Sequence, residues 1–290
     1  MSRLAPRDHW VFCTRPTVFR KGPPQAVGRR RHCCQAAVGG GAVRWRRSAG
    51  GVPQADLCPR YPHHVGFSPA SRNRLTDYDL GRFHGDSLLD HVARAACRAG
   101  CLPRKELYEA WETARRVRRL FRGGRIVDLA AGHGLLAQLM LILDDTSPQA
   151  VAVDTVVPAS AATLRRALMD RWPRLAGRIE FLESPLDAVV IRPTDIVMSI
   201  HACGSLTDLV LERAIAARAR VAVLPCCHDV DRSDPGGLSG WMHDALAIDV
   251  MRARRLASAG YRIWTQLIPG EITPKNRLLI GASGDGPVSS

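Results

Sequence analysis

Three places in the chain set groups capable of chemistry where a strand pattern stops. The first is Arg125–Ala137, R-I-V-D-L-A-A-G-H-G-L-L-A. Asp128 closes an apolar strand run, Gly132 and Gly134 form a turn, and an apolar helix start follows. Two glycines let the backbone turn sharply and approach a ligand with no Cβ in the way. The second place is His201-Ala202-Cys203-Gly204, and the third is Pro225-Cys226-Cys227-His228. An imidazole titrates near neutrality, so His201 and His228 are candidate proton acceptors, and each also fits a buried structural histidine. Cys226 and Cys227 are candidate catalytic thiols with the same double reading, because strand-end cysteines are commonly small core residues. No metal is assigned to the Cys/His cluster; bound zinc found by elemental analysis would reverse that.

These groups have to be positioned by alternating strands and helices. Helices are expected over Asp86–Ala99 and Pro103–Phe121. Beyond the glycine turn come a helix over Leu135–Leu143, strand Ala150–Asp154, helix Pro158–Arg171 and strand Arg178–Glu183. Strand Asp195–Ile200, helix Leu206–Ala219, strand Val221–Leu224 and a long helix Leu238–Ala259 follow. The last strands, Tyr261–Leu267 and Arg277–Ala282, are separated by too few residues for a helical crossover and must be antiparallel neighbours. In such an open sheet, ligands bind outside the carboxyl ends of the strands at the switch point. Asp128, Asp154, His201 and Cys226–His228 then share one rim, with Thr273, Lys275 and Asn276 from the final loop as candidate acceptor contacts.

The turn Gly132-His133-Gly134-Leu135-Leu136-Ala137 also fits the dinucleotide fingerprint, with an acid about 20 residues on. Asp128 decides between cofactors. A carboxylate at the first strand end suits S-adenosylmethionine, which carries an ammonium and a sulfonium and no phosphate. Asp154 is placed to accept from a ribose diol. Asp187 is the candidate acceptor from an adenine amino group, with Glu183 its rival.

V-D-L-A-A-G-H-G, H-A-C-G-S-L-T-D and L-P-C-C-H-D together resemble a group of Rossmann-type methyltransferases that includes the eukaryotic tRNA ribose 2′-O-methyltransferase. The resemblance covers Pro103–Ala282. It implies an α/β fold, a seven-stranded class I sheet with an antiparallel last strand, and S-adenosylmethionine as donor. It also implies that Asp128, Gly132 and Gly134 hold the donor, with His201, Cys203, Cys226, Cys227 and His228 lining the methyl-transfer end. A ribose hydroxyl of RNA is the implied acceptor, although the zinc-finger spacing of the tRNA enzyme is missing from the amino-terminal region. A protein or small-molecule acceptor, an inactive donor-binding module and a nicotinamide oxidoreductase are the rival readings. No [DN]-P-P-[YF] tetrad follows the fourth strand, which argues against methylation of a base amino group.

The expected organisation is a disordered basic arm (1–73), a helical extension (74–121), the donor-binding domain (122–283) and a disordered tail (284–290). Of the net charge of +14, +12 falls within Met1–Leu75, so the basic balance belongs to the arm. Such an arm can hold RNA by its phosphates. An organelle transit peptide or translated upstream sequence is the alternative. The Glu106, Glu109, Glu112 and Arg115–Arg119 sequence of the second helix reads as a solvated charged face with Glu112–Arg116 pairing. Nine cysteines without paired spacing point to a reducing compartment, hence a cytoplasmic location, and no apolar run is long enough to span a membrane.

Overall fold

The computed structural model describes residues 67–284. Seven strands form one sheet: β1 (Ile126–Leu129), β2 (Ala150–Asp154), β3 (Ile179–Glu183), β4 (Ile196–Ser199), β5 (Arg220–Val223), β6 (Tyr261–Leu267) and β7 (Arg277–Ser283). Their order is β3-β2-β1-β4-β5-β7-β6. The first five are parallel, and β7 runs antiparallel between β5 and β6. This is the α/β sheet of seven strands with an antiparallel last strand expected above. Central strands β1 and β4 are buried throughout, as parallel strands covered on both faces must be. Edge strands β3 and β6 carry exposed residues between apolar ones.

Six helices cover the sheet: α1 (Leu88–Ala99), α2 (Arg104–Leu120), α3 (Leu135–Leu143), α4 (Ala161–Arg171), α5 (Ser205–Ala216) and α6 (Asp244–Ser258). Strand side chains alternate between faces. Ile126, Ala150, Ala152, Ile196 and Met198 join one core with α1–α4. Val127, Leu129, Val151, Val153 and Val197 join another with α5 and α6. Asp128 shares its parity with Ile126 and so points to the α3 side. α3 reads L-L-A-Q-L-M-L-I-L and buries eight of its residues, because α2 covers the side turned from the sheet.

Several expectations change. α6 starts at Asp244, where His243 caps it by accepting from Ala245 N; residues 238–243, read as helix, are turns containing Gly240. α2 is no solvated charged face. Glu112 is fully buried, Arg116 nearly so, and the two form an ion pair, with Arg116 also donating to the Leu267 carbonyl. That guanidinium ties α2 to the end of β6. Residues 67–73, assigned to the arm, are ordered: Phe67 is buried beneath the Arg104 guanidinium, and the Ser71 and Asn73 carbonyls accept from Lys105 N and Arg104 N. The first 66 residues, with the arm's cysteines and histidines, and residues 285–290 lie outside the described residues.

Candidate functional site

The glycine turn is built from unusual backbone. Ala130 (φ 56°), Gly132 (φ 53°) and Gly134 (φ 66°) all occupy the left-handed region within five residues. A non-glycine residue there is strained, and such strain concentrates at ligand sites. At Gly132 a Cβ would approach only the His201 ring, at 3.8 Å, so the space above it is open. At Gly134 a Cβ would sit 2.7 Å from the Phe181 ring and 3.1 Å from Ala152 Cβ. Gly132 therefore shapes an open cradle, whereas Gly134 brings α3 down onto the sheet. Asp154 Oδ2 accepts from Gly132 N at 2.8 Å, and its Oδ1 accepts from Thr155 N at 2.8 Å. The acid closing β2 thus pins the turn and keeps lone pairs for a further donor.

Asp128 departs from the open rim carboxylate read from sequence. It is 1% exposed, and its Oδ2 accepts from Ala137 N in the first turn of α3, at 3.2 Å. Its Oδ1 is buried without a hydrogen-bond partner. Burial pushes the carboxyl up to about 7; the His201 charge and the Ala137 N–H pull less strongly the other way. An orphaned buried oxygen beside a helix N-terminus is costly, and a cationic donor would relieve it.

Glu106, in the first turn of α2, belongs to this site and was read only as part of a charged face. Its Oε1 lies 3.7 Å from His133 Nδ1 in the glycine turn and 3.4 Å from His201 Nε2 at the β4 exit. Burial works against the Glu106 charge, but hydrogen bonds and charge from the two histidines hold the carboxyl down at about 2. For His201, burial favours the neutral ring, and the Glu106 carboxylate outweighs it, raising the pKa above the ordinary value. The Glu106 carboxylate thus favours the protonated ring of His201, the candidate proton acceptor at the β4 exit. His133 Nε2 meets Ser160 Oγ at 3.0 Å.

His228, the other candidate proton acceptor, is enclosed. Its side chain is 4% exposed, with Nε2 on Asp249 Oδ1 at 2.8 Å and Nδ1 buried without a partner. Asp249 in turn takes Arg277 Nε at 2.6 Å and Arg252 Nη1 at 3.3 Å. No nitrogen of His228 is open to an acceptor; it fastens the β5 exit to α6.

The thiols do converge. The Sγ atoms of Cys203, Cys226 and Cys227 lie within 4.8 Å of one another, and Cys203 to Cys226 is 3.0 Å. Cys203 and Cys227 are exposed and Cys226 half-buried, so these are not core residues. The hydrogen bond with Cys226 lowers the Cys203 thiol to about 6; burial opposes this, and Cys227, His201 and Lys275 add to it. The Cys226 thiol is pushed the opposite way by the same neighbour.

Of the acceptor candidates, Lys275 is exposed and its charge reaches Cys203. Thr273 is 1% exposed, with Oγ1 accepting from Lys275 N, and Asn276 donates to the Ile268 carbonyl. Both bonds lie within the loop between β6 and β7. Asp187 stands exposed on a single turn. Its rival Glu183 pairs in register with Asp154 and lines a pocket of about 360 Å³ with Val157, Pro158 and Phe181. Glu183 Oε1 also accepts from Val157 N at 2.9 Å.

Among solved structures, similarity extends to an O-methyltransferase family protein from Burkholderia thailandensis, 18% identical with a TM-score of 0.43, covering 72% of this chain and 64% of that one. It extends also to M. capricolum TrmK in complex with S-adenosyl-homocysteine, 16% identical with a TM-score of 0.40, covering 59% and 67%. A "Glutathione S-transferase C-terminal domain-containing protein homolog" of Drosophila melanogaster is 27% identical over an alignment of 199 positions that covers 55% of this chain and 33% of the relative. The same-named protein of Drosophila pseudoobscura pseudoobscura matches equally. The chain spans about a third of the length of these curated relatives. A family model described as a methyltransferase domain matches residues 106–231, from Glu106 through the Cys-Cys-His exit.

Proposed function

We propose that the chain is an S-adenosylmethionine-dependent methyltransferase and that its acceptor is RNA, a ribose hydroxyl by its resemblance to the tRNA enzyme. One observation supports the donor above all: a buried carboxylate oxygen of Asp128 has no partner, at the end of the central strand and before an open glycine turn. An ammonium group satisfies that oxygen; a pyrophosphate would meet a second negative charge there. The methyltransferase-domain match covers the same segment.

The residues fit the donor part by part. Asp128 would take its ammonium, and a ring N–H of His201 would donate to its carboxylate. Asp154 would accept from the ribose diol, and Glu183 with the neighbouring pocket would receive the adenine. A sulfonium supplies a methyl group that is already activated, so holding the acceptor in line provides much of the rate. Bound there, the donor would supply the methyl group to an acceptor hydroxyl, whose proton would pass to water. That sequence needs no strong base. It agrees with Glu106 holding His201 and with His228 being sealed.

Support for RNA is the resemblance together with the arginine-rich residues 1–66. Transfer of labelled methyl from S-adenosylmethionine to total RNA, with ribose 2′-O-methyl nucleosides recovered after digestion, is the expected result. Label in protein or small-molecule pools alone would overturn the acceptor. Donor binding with no labelled pool would favour a binding module.

A further inference from the structure

Two of the three strand exits at the site carry cysteines, and the geometry there does more than fill space. Cys203 leaves β4 and Cys226-Cys227 leave β5. Gly204 N donates to the Cys227 carbonyl at 3.2 Å and joins the two exits. Gly204 turns with φ 58°, and a Cβ there would meet Asp229 Cβ at 3.1 Å. The close approach of the two exits is therefore built into the backbone. Elsewhere, Cys97 and Cys101 are buried, and burial is the chief cause that raises their thiols, as for ordinary core cysteines. The strand-exit trio differs on each count: it is clustered, accessible and bordered by Lys275 and His201.

We propose that Cys203, Cys226 and Cys227 form a zinc site with three thiolate ligands and a fourth position left to a non-protein ligand. Zinc–sulfur bonds of about 2.3 Å in a tetrahedron place sulfurs about 3.8 Å apart. The three Sγ atoms already lie within 4.8 Å of one another, and Cys203 and Cys226 at 3.0 Å. Shifts of about 1 Å at side-chain ends complete the geometry. Among the described residues, no histidine, aspartate, glutamate or further cysteine joins this cluster. Three protein ligands with an open position is the arrangement of reactive rather than purely structural zinc. Three thiolates and Zn²⁺ leave one negative charge, which Lys275 faces. Soft thiolate donors select zinc or copper(I) over magnesium or calcium. A disulfide between Cys203 and Cys226 is the competing fate, and it requires a two-electron oxidant. The metal site stands whether or not the proposed donor binds.

The test is made on the full chain with Cys13, Cys33, Cys34 and Cys58 changed to serine, so that the amino-terminal thiols cannot hold metal. Zinc is loaded under reducing conditions, excess is removed, and metal is measured by elemental analysis. One equivalent per chain is expected, and it should be lost in the Cys203→Ser/Cys227→Ser protein. Cobalt in place of zinc should show thiolate-to-metal charge transfer that the same substitutions abolish. Should that variant not fold, peptide mapping of iodoacetamide labelling in the parent protein decides. Zinc should slow labelling at Cys203 and Cys227 and leave Cys97 and Cys101 unchanged. No bound zinc, unchanged zinc content after the substitutions, or labelling indifferent to zinc would overturn the site. Recovery of a Cys203–Cys226 disulfide from fresh reduced cell extract would do so too.

Discussion

Replacing Asp128 by asparagine should stabilise the ligand-free protein while removing donor affinity. The carboxyl rises from 3.8 in the unfolded chain to about 7 in the fold, with burial the main cause. For an acid raised by folding, the native state binds more protons than the unfolded state between those values, so stability falls as pH climbs through that window. Above pH 7 the full penalty applies, about 4 kcal/mol at 1.36 kcal/mol per unit. At pH 5 only about 1.6 kcal/mol of it remains. Asparagine keeps an oxygen for Ala137 N but sets an amide N–H₂ where Oδ1 has no partner, at a cost of about 1–3 kcal/mol. The net gain at pH 8 is therefore about 1–3 kcal/mol, a melting-temperature rise of about 5 °C for a domain of this size. Urea unfolding of both proteins at pH 8 and pH 5 measures it. The advantage of the variant should shrink by about 3 kcal/mol between the two pH values, and the other titrating groups cancel in the difference. Asp128→Asn less stable than the parent by the same amount at both pH values would refute the reasoning, since it would mean a carboxylate that is ionised and satisfied in the fold.

Glu106→Gln should let the His201 pKa fall towards its ordinary value, read by NMR titration of the ring; an unmoved His201 would break the pair assigned here. Because the Glu106 carboxyl drops from 4.5 to about 2 on folding, its contribution is present above pH 4.5 and lost as pH falls through 2, and the substitution should cost at most about 3 kcal/mol at pH 6. Gly134→Ala should destabilise by about 2–4 kcal/mol in denaturant unfolding, from backbone strain at φ 66° plus the Phe181 and Ala152 clash, whereas Gly132→Ala should cost only about 1–2 kcal/mol. Equal costs at the two glycines would contradict their different roles. Arg116→Met removes one of two guanidinium partners of a fully buried Glu112, leaving Arg115 at 3.5 Å, together with the bond to the Leu267 carbonyl, and should cost about 2 kcal/mol in the same assay; less than about 0.5 kcal/mol would show that α2 does not depend on it.

The sheet was legible because each strand is a short apolar run and each crossover a helix of ordinary length. The nine-residue gap before β7 left no room for another crossover. The glycine turn and the cysteine-bearing exits were legible as motifs for the same local reasons. What escaped detection depends on tertiary contacts. Glu106 lies some 25 residues before the turn it serves, and nothing local separates it from Glu109 or Glu112. The charged residues of α2 looked solvated because burial of Glu112 and Arg116 follows from α3 and β6 lying against them. Strand parity did contain the orientation of Asp128: two residues after Ile126, it had to face the helix layer. The last residues of the arm, 67–73, carry no periodicity, and their order comes from contacts with the start of α2: Phe67 beneath Arg104 and the Ser71 and Asn73 carbonyls on its backbone. His228 became structural once Asp249, 21 residues away, was brought beside it.

The central claim is a cationic, phosphate-free donor seated at the exits of β1 and β4. Calorimetric titration of the full chain with S-adenosylhomocysteine and, separately, with NAD tests it most directly. Saturable binding of S-adenosylhomocysteine that weakens as pH falls below about 7, with no heat from NAD, is the result predicted. Binding of NAD in preference to S-adenosylhomocysteine, or no binding of S-adenosylhomocysteine at pH 8, would contradict it.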